Sequence, residues 1–272
     1  MFRRIWKKSV ALPQEHGSWV FILSPLLIGL FAGRSFTVDA LALIVAAMGA
    51  FLLRQPMSIL TKIYSGRRPR HELTGALFWA ALYGLAALLG LVYLLWRGFT
   101  FMLWLAMPGI PVFLWHLYLV SRRSERRQMG IEIVATGVLS LAAPAAFWVT
   151  QGRYDPQGWW LWLLGWLQAA ASIVYAFVRL EQREWEVLFP MRERWKHGSR
   201  ALLYTTFNLA LTLGLGWNGL LPRFIALPFL LQWLETLWGI LHPAWRWKPT
   251  RIGVRQLIVS TLWTLLFILV WR

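Results

Sequence analysis

Arg54, Ser58 and Lys62 are spaced i, i+4, i+8 in the run RQPMSILTK, and Arg179 and Arg183 repeat the i, i+4 interval in RLEQR. On a helix this spacing puts each set on one face. Guanidinium groups offer paired planar donors and an ammonium a compact charge. Two such faces opposed across a cavity would therefore hold a phosphate or other anionic headgroup directly. Four more ionisable residues stand in or at the ends of apolar runs: Glu15 and His16 in PQEHGSW, His116 in FLWHLY and Glu132 in MGIEIVATG. A charge at the centre of a bilayer helix costs ~2.5–3.5 kcal/mol on insertion scales, so such residues normally face a cavity or a partner. Interfacial placement beside headgroups is the plainer reading of each carboxylate, Glu235 included. Their common depth points instead to one shared polar cavity, open to the cytoplasm and lined by Glu15, His16, Arg54, Ser58, Lys62, His116, Glu132, Arg179 and Arg183.

The elements that must carry these residues are membrane helices. Nine apolar segments run over 18–33, 38–53, 73–95, 99–120, 130–149, 158–178, 201–220, 222–241 and 254–271. Counted with Arg223 and Arg255, which stand just inside segment ends, in their adjoining loops, the Lys and Arg residues of the ten stretches around them number, in order, 4, 1, 5, 1, 4, 1, 6, 1, 4 and 1. Cationic loops resist translocation, so the rich stretches are cytoplasmic. The alternation predicts an all-α, polytopic bundle of nine transmembrane helices, with the N-terminus inside and the C-terminus outside. A composition of 58% apolar and 14% charged residues leaves no room for a soluble domain, and residues 1–272 read as one transmembrane domain of an inner (plasma) membrane protein. Many of the 20 Trp residues fall at the expected helix ends, as interfacial anchors do. The net charge of +17 is accounted for by short loops beside an anionic leaflet, so membrane lipids and not nucleic acid are the expected partners. No residue pattern sets the oligomeric state. With no cysteine there is neither disulfide nor thiolate site, and no cofactor is expected.

The outer connections are brief, whereas the inner ones at 54–72 and 179–200 are long, which places any chemistry on the cytoplasmic side. Pro56 should bend or restart the second helix, and Pro108, Gly109 and Pro111 should kink the fourth near its middle. The stretch around Pro190, which mixes Leu180, Val187, Leu188, Phe189 and Trp195 with charges, suits a segment lying in the interface.

The opening PQEHGSWVFILSPLLIGL, the LLRQP run and GIEIVATGVLSLAAPAAFW resemble the YwiC-like family of bacterial membrane proteins. That resemblance covers most of the chain and implies an identity without a mechanism. The layout is also similar to the UbiA superfamily of intramembrane prenyltransferases. These have nine helices, an inside N-terminus and an active site built from the connections after helices two and six. VYAFVRLEQREWE looks like the start of the second Asp-rich motif of that superfamily, and GIE like the entry to its fifth helix. The resemblance implies Mg²⁺ held by aspartates of both loops, and here the chain departs. Its only aspartates, Asp39 and Asp155, fall at the predicted outer ends of the segments or loops. Arg54, Gln55, Ser58 and Lys62 stand where the first motif should be, and Arg179 stands at a carboxylate position of the second. Glu181 and Glu184 supply at most one weak pair. Divalent metal and Mg²⁺-dependent prenyl transfer are therefore not expected.

The expected function is metal-free binding of an anionic or isoprenoid-type lipid, with or without catalysis. A carrier and a non-catalytic subunit of a membrane complex stay open. Taken singly, each cation is also explained by membrane orientation alone.

Overall fold

A computed structural model describes residues 7–13, 16–124 and 128–271, and all regular structure among them is helical. The helices are α1 (Lys8–Ala11), α2 (His16–Gly33), α3 (Val38–Tyr64), α4 (Leu73–Trp96), α5 (Phe101–Ala106), α6 (Gly109–Ser121), α7 (Met129–Leu139), α8 (Ala142–Gln151), α9 (Gln157–Arg183), α10 (Met191–Trp217), α11 (Ala226–Leu241) and α12 (Pro249–Trp271). A 3₁₀ turn over Arg70–Glu72 leads into α4. Six stretches are long and apolar enough to cross a membrane: Val38–Tyr64, Arg70–Trp96, Phe101–Ser121, Met129–Gln151, Gln157–Arg183 and Pro249–Trp271. Gly17–Gly33 and Ala226–Leu241 are apolar but shorter. In α10 the charged head MRERWKHGSR precedes the apolar part.

Local chemistry explains the boundaries. The Thr37 hydroxyl accepts from the Ala40 N–H at 3.3 Å and caps α3. Gly152, at φ 70°, ends α8 in the left-handed conformation that a residue without Cβ adopts freely. The expected kink in the fourth segment is a break between α5 and α6 at Met107 and Pro108. Pro56, in contrast, neither ends nor restarts α3, which continues to Tyr64. The stretch around Pro190 is divided at the proline, with α10 starting at Met191 directly after it. Proline is well suited to helix starts, where its missing N–H has no intrahelical partner anyway.

The bundle has a centre and a rim. In α7–α8 and α9, 61% of the most apolar window is buried, against 17% in α4 and α5–α6. The rim helices accordingly present leucines outward, among them Leu85, Leu88 and Leu89. Packed between α2, α8, α9, α11 and α12 are Ile28, Phe147, Trp148, Leu164, Phe229, Trp263 and Phe267, all essentially inaccessible. The helices α3 and α4 make the most extensive pairing, since Gly49 and Gly90 let the two backbones approach where no Cβ would fit. At one end of this pair Asp39 accepts from Arg97 at 2.9 and 3.2 Å and from the Tyr93 hydroxyl at 3.1 Å. The bond to Asp39 raises the pKa of Arg97 above its ordinary value. At the other end α1 crosses both helices. Val10 is fully buried against Ile59, Leu60, Ile63 and Ala76, and the Tyr83 hydroxyl donates to the Ala11 carbonyl at 3.1 Å.

Candidate functional site

The residues singled out by spacing fall into two groups on different parts of the bundle. Because α3 runs unbroken to Tyr64, Arg54, Ser58 and Lys62 do share one helix face. Ser58 is buried. Its hydroxyl lies 2.8 Å from the Arg54 carbonyl, to which it donates, and 3.2 Å from His116 Nε2 on α6. This contact joins α3 to α6 at a serine that stands between two half-buried cations in sequence, Arg54 one turn before it and Lys62 one turn after. The Arg54 guanidinium lies 5.8 Å from the Phe51 ring. Glu132 is exposed in the first turn of α7, which packs on α6 and α2. Arg54, Lys62, His116 and Glu132 all have bonding partners. Glu15 lies outside the described residues, and of His16 only its place at the head of α2 is described.

Arg179 is placed otherwise than its spacing suggested. It is 1% exposed, and its Nη1 donates to Gln182 Oε1 at 2.8 Å and to the carbonyls of Gly239 and His242 at 2.6 and 2.8 Å. The two carbonyls belong to the end of α11, where a helix leaves oxygens without intrahelical partners. Gln182, fully buried, completes the closure by donating to Gly239 at 3.2 Å and accepting from the Ala244 N–H at 3.1 Å. Arg179 thus seals the α11–α12 corner, and α9 and α3 are not among each other's principal neighbours. The principal neighbours of α9 are α2, α7, α8, α10, α11 and α12, whereas those of α3 are α1, α2, α4, α6 and α8. Arg183 is half-buried, 4.0 Å from Glu184.

Around Arg179 stands a polar seam that the sequence reading did not assemble. Gln168, Ser172, Tyr175, Arg179 and Gln182 follow at intervals of 4, 3, 4 and 3 along one face of α9, a length of about 21 Å. Gln232 donates to the Gln168 carbonyl at 2.9 Å and to the Ser172 hydroxyl at 3.0 Å, and Gln256 donates to the Ser172 carbonyl at 3.0 Å. One step on, the Tyr175 hydroxyl is 3.0 Å from Glu235 Oε1, and Arg255 grips Glu235 with two bonds of 2.6 Å. The guanidinium groups then interleave with indoles. Arg255 lies 3.6 Å from the Trp238 ring, Arg179 5.6 Å from Trp238 and 5.0 Å from Trp247, and Arg251 3.9 Å from Trp247. Three cations and one carboxylate make this ladder net positive. Its signal in the sequence was the heptad-like spacing of polar residues on α9, together with the depth of Glu235.

Among the described residues no group of three or more His, Asp or Glu is arranged to hold a metal ion. Glu181 is engaged by His197 Nδ1 at 2.6 Å. A crevice of about 10 Å³ between α2, α9 and α12, lined by Ser24, Gln168 and Trp263, has room for about one water and none for a lipid chain.

Helical stretches of membrane length and outward leucine-rich faces define an integral membrane protein. The family model described as YwiC-like protein matches residues 12–147, half of the chain, and the chain belongs to that family. It is similar to the uncharacterized protein YwiC of Bacillus subtilis (strain 168), at 23% identity over 175 residues that cover 64% of this chain and 68% of the relative. No solved structure matches the chain. The matched span carries Arg54, Ser58, Lys62, His116 and Glu132, whereas the seam on α9 lies beyond it.

Proposed function

We propose that this protein crosses the inner membrane nine times, N-terminus inside and C-terminus outside, and binds the anionic headgroup of an isoprenoid-type lipid at the α3–α6 face without divalent metal. The nine rods are α2, α3, α4, α5–α6, α7–α8, α9, α10, α11 and α12. The inward placement of the α3–α6 face rests on the alternation of Lys and Arg between the apolar runs. The observation that carries the binding site is the Ser58–His116 contact. It fixes a hydroxyl–imidazole pair where Arg54 and Lys62 flank Ser58 on one helix face. Arg54 would supply a planar fork of donors to a phosphate and Lys62 a point charge, with Ser58 and His116 as short-range hydrogen-bond partners. Glu132 is assigned to the same face, entering from α7. The likeness to the UbiA superfamily enters only as an analogy of helix number and loop length.

Topology is tested by single cysteines in this cysteine-free chain. Cysteine at the exposed positions Ser65 and Ser199 should react with an impermeant maleimide only from the cytoplasmic side, and at Gln157 only from outside. Reaction of Ser65→Cys and Ser199→Cys from opposite sides would overturn the nine-crossing arrangement. Binding is tested with farnesyl diphosphate on purified protein in phosphatidylcholine nanodiscs. Affinity should survive EDTA, fall with added salt as charge attraction is screened, and drop by ~1.5–3 kcal/mol in Arg54→Ala and in Lys62→Ala. Loss of binding in EDTA would put metal back into the site. Unchanged affinity in both variants would remove the site from α3.

A further inference from the structure

The turn from α11 into α12 carries cations that no carboxylate answers. After Glu235 the chain has no acidic residue, and Glu235 itself is occupied by Arg255. Arg246, Lys248 and Arg251 are exposed, and none of them has an ion pair among the described residues. They also sit at the wrong end of a helix. The first turn of α12 contains no acid, and cations there oppose the positive end of the helix dipole. Nor are they loose surface side chains. The Arg246 guanidinium is held 4.4 Å from the Trp245 ring and that of Arg251 3.9 Å from Trp247, and Trp245 is pinned in turn by its indole N–H to the Trp185 carbonyl at 3.1 Å. Arg246 is in the left-handed backbone region at φ 56°, a conformation that a non-glycine residue holds only at a cost. Directly beneath Trp247, Arg179 adds a buried positive charge whose Nη2 has no hydrogen-bond partner.

What lies next to these cations tells a lipid from any other anion. On α12, Arg251, Val254, Ile258, Leu262 and Leu265 follow at intervals of 3, 4, 4 and 3, so they share one helix face. Val254, Ile258, Leu262 and Leu265 are all exposed, at 56, 54, 46 and 53%. A charged head thus stands above an apolar stripe about 16 Å long, the profile of a phospholipid with its chains. We propose that the α11–α12 turn binds the phosphodiester headgroup of an anionic phospholipid through Arg246, Lys248 and Arg251, with Trp245 and Trp247 as its platform and the outward stripe of α12 as the bed for its acyl chains. This site is separate from the α3–α6 face and shares with it only the inward orientation of the loops.

The test uses the whole protein in nonionic detergent, with native mass spectrometry and thermal shift as readouts and phosphatidylglycerol, phosphatidylcholine and inorganic phosphate as separate probes. Wild type should retain and be stabilised by phosphatidylglycerol, and not by the other two. At about a fivefold contribution per cation near a headgroup, the R246Q/K248Q/R251Q variant should bind it on the order of a hundredfold more weakly. R246K/R251K should keep most of the affinity, and R54A/K62A should leave it unchanged. A photoactivatable phosphatidylglycerol should crosslink to peptides spanning 246–258 in wild type, a readout that needs no variant. Wild-type affinity in the triple glutamine variant, equal stabilisation by phosphatidylcholine, or crosslinks confined to other helices would each overturn the site. Stabilisation by inorganic phosphate at the same concentration would show a free-anion site in place of a lipid one. Loss of phosphatidylglycerol in R54A/K62A with retention in the triple variant would move the lipid to α3.

Discussion

Arg179→Ala should be among the most destabilising single substitutions in the chain, lowering stability by ~3–5 kcal/mol. The variant leaves the Gly239 and His242 carbonyls and the Gln182 amide oxygen without their guanidinium donor in a region closed to water. It also removes the cation between Trp238 and Trp247. Arg179→Lys should recover only part of the loss, because the ammonium can serve acceptors that converge on one nitrogen but lacks the planar guanidinium face set against Trp238 and Trp247. Thermal melting in detergent, with Arg54→Ala as comparator, measures both. Wild-type melting of Arg179→Ala combined with lost farnesyl diphosphate binding would show that Arg179 is a ligand after all and that its closure of the corner matters little.

Glu235→Ala should cost less, ~2–3 kcal/mol, because it leaves Arg255 and Arg179 without their carboxylate while Arg255, 36% exposed, is partly screened by solvent. The Glu235 side chain is 10% exposed and accepts two bonds of 2.6 Å from Arg255 as well as the Tyr175 hydroxyl. Glu235→Gln keeps an acceptor for Tyr175 and should lose less. In a double-mutant cycle with Arg255→Ala, the coupling should reach roughly 1–3 kcal/mol. The Asp39–Arg97 pair is a graded contrast, since its arginine side chain is 50% exposed against 36% for Arg255 while the two carboxylates are covered alike, and a solvated pair contributes about 0–1 kcal/mol. If the Glu235–Arg255 coupling is no larger than that of Asp39–Arg97, the seam is a surface pairing and not a buried one.

The membrane class, the helical rods and the break in the fourth segment were legible in the sequence because each depends on neighbouring residues alone. An apolar run about 20 residues long has to be a helix in lipid, and the Pro108–Gly109–Pro111 cluster cannot donate a full backbone ladder. Boundaries were less legible where polar side chains hide a helix. The second apolar run ends at residue 53, yet its helix is expected to continue past it and does so to Tyr64; the seventh run begins at 201, whereas α10 already begins at Met191. A run of charges at a helix end weakens the hydropathy signal without weakening the hydrogen-bond ladder.

The two cationic rows show where sequence stops. Arg54–Ser58–Lys62 and Arg179–Arg183 carry the same helical spacing and the same local composition, and spacing determines which residues share a face. It does not determine what covers that face. On α3 the face meets α6, and Ser58 finds His116 from a segment 58 residues away. On α9 the face meets the end of α11, and two main-chain carbonyls some 60 residues on take the guanidinium that looked ready for a headgroup. The polar heptad on α9 could be counted in the sequence. Its closure could not, because the close approach of α11 needs Gly239 against the Tyr175 ring, a contact that exists only once the two helices are packed.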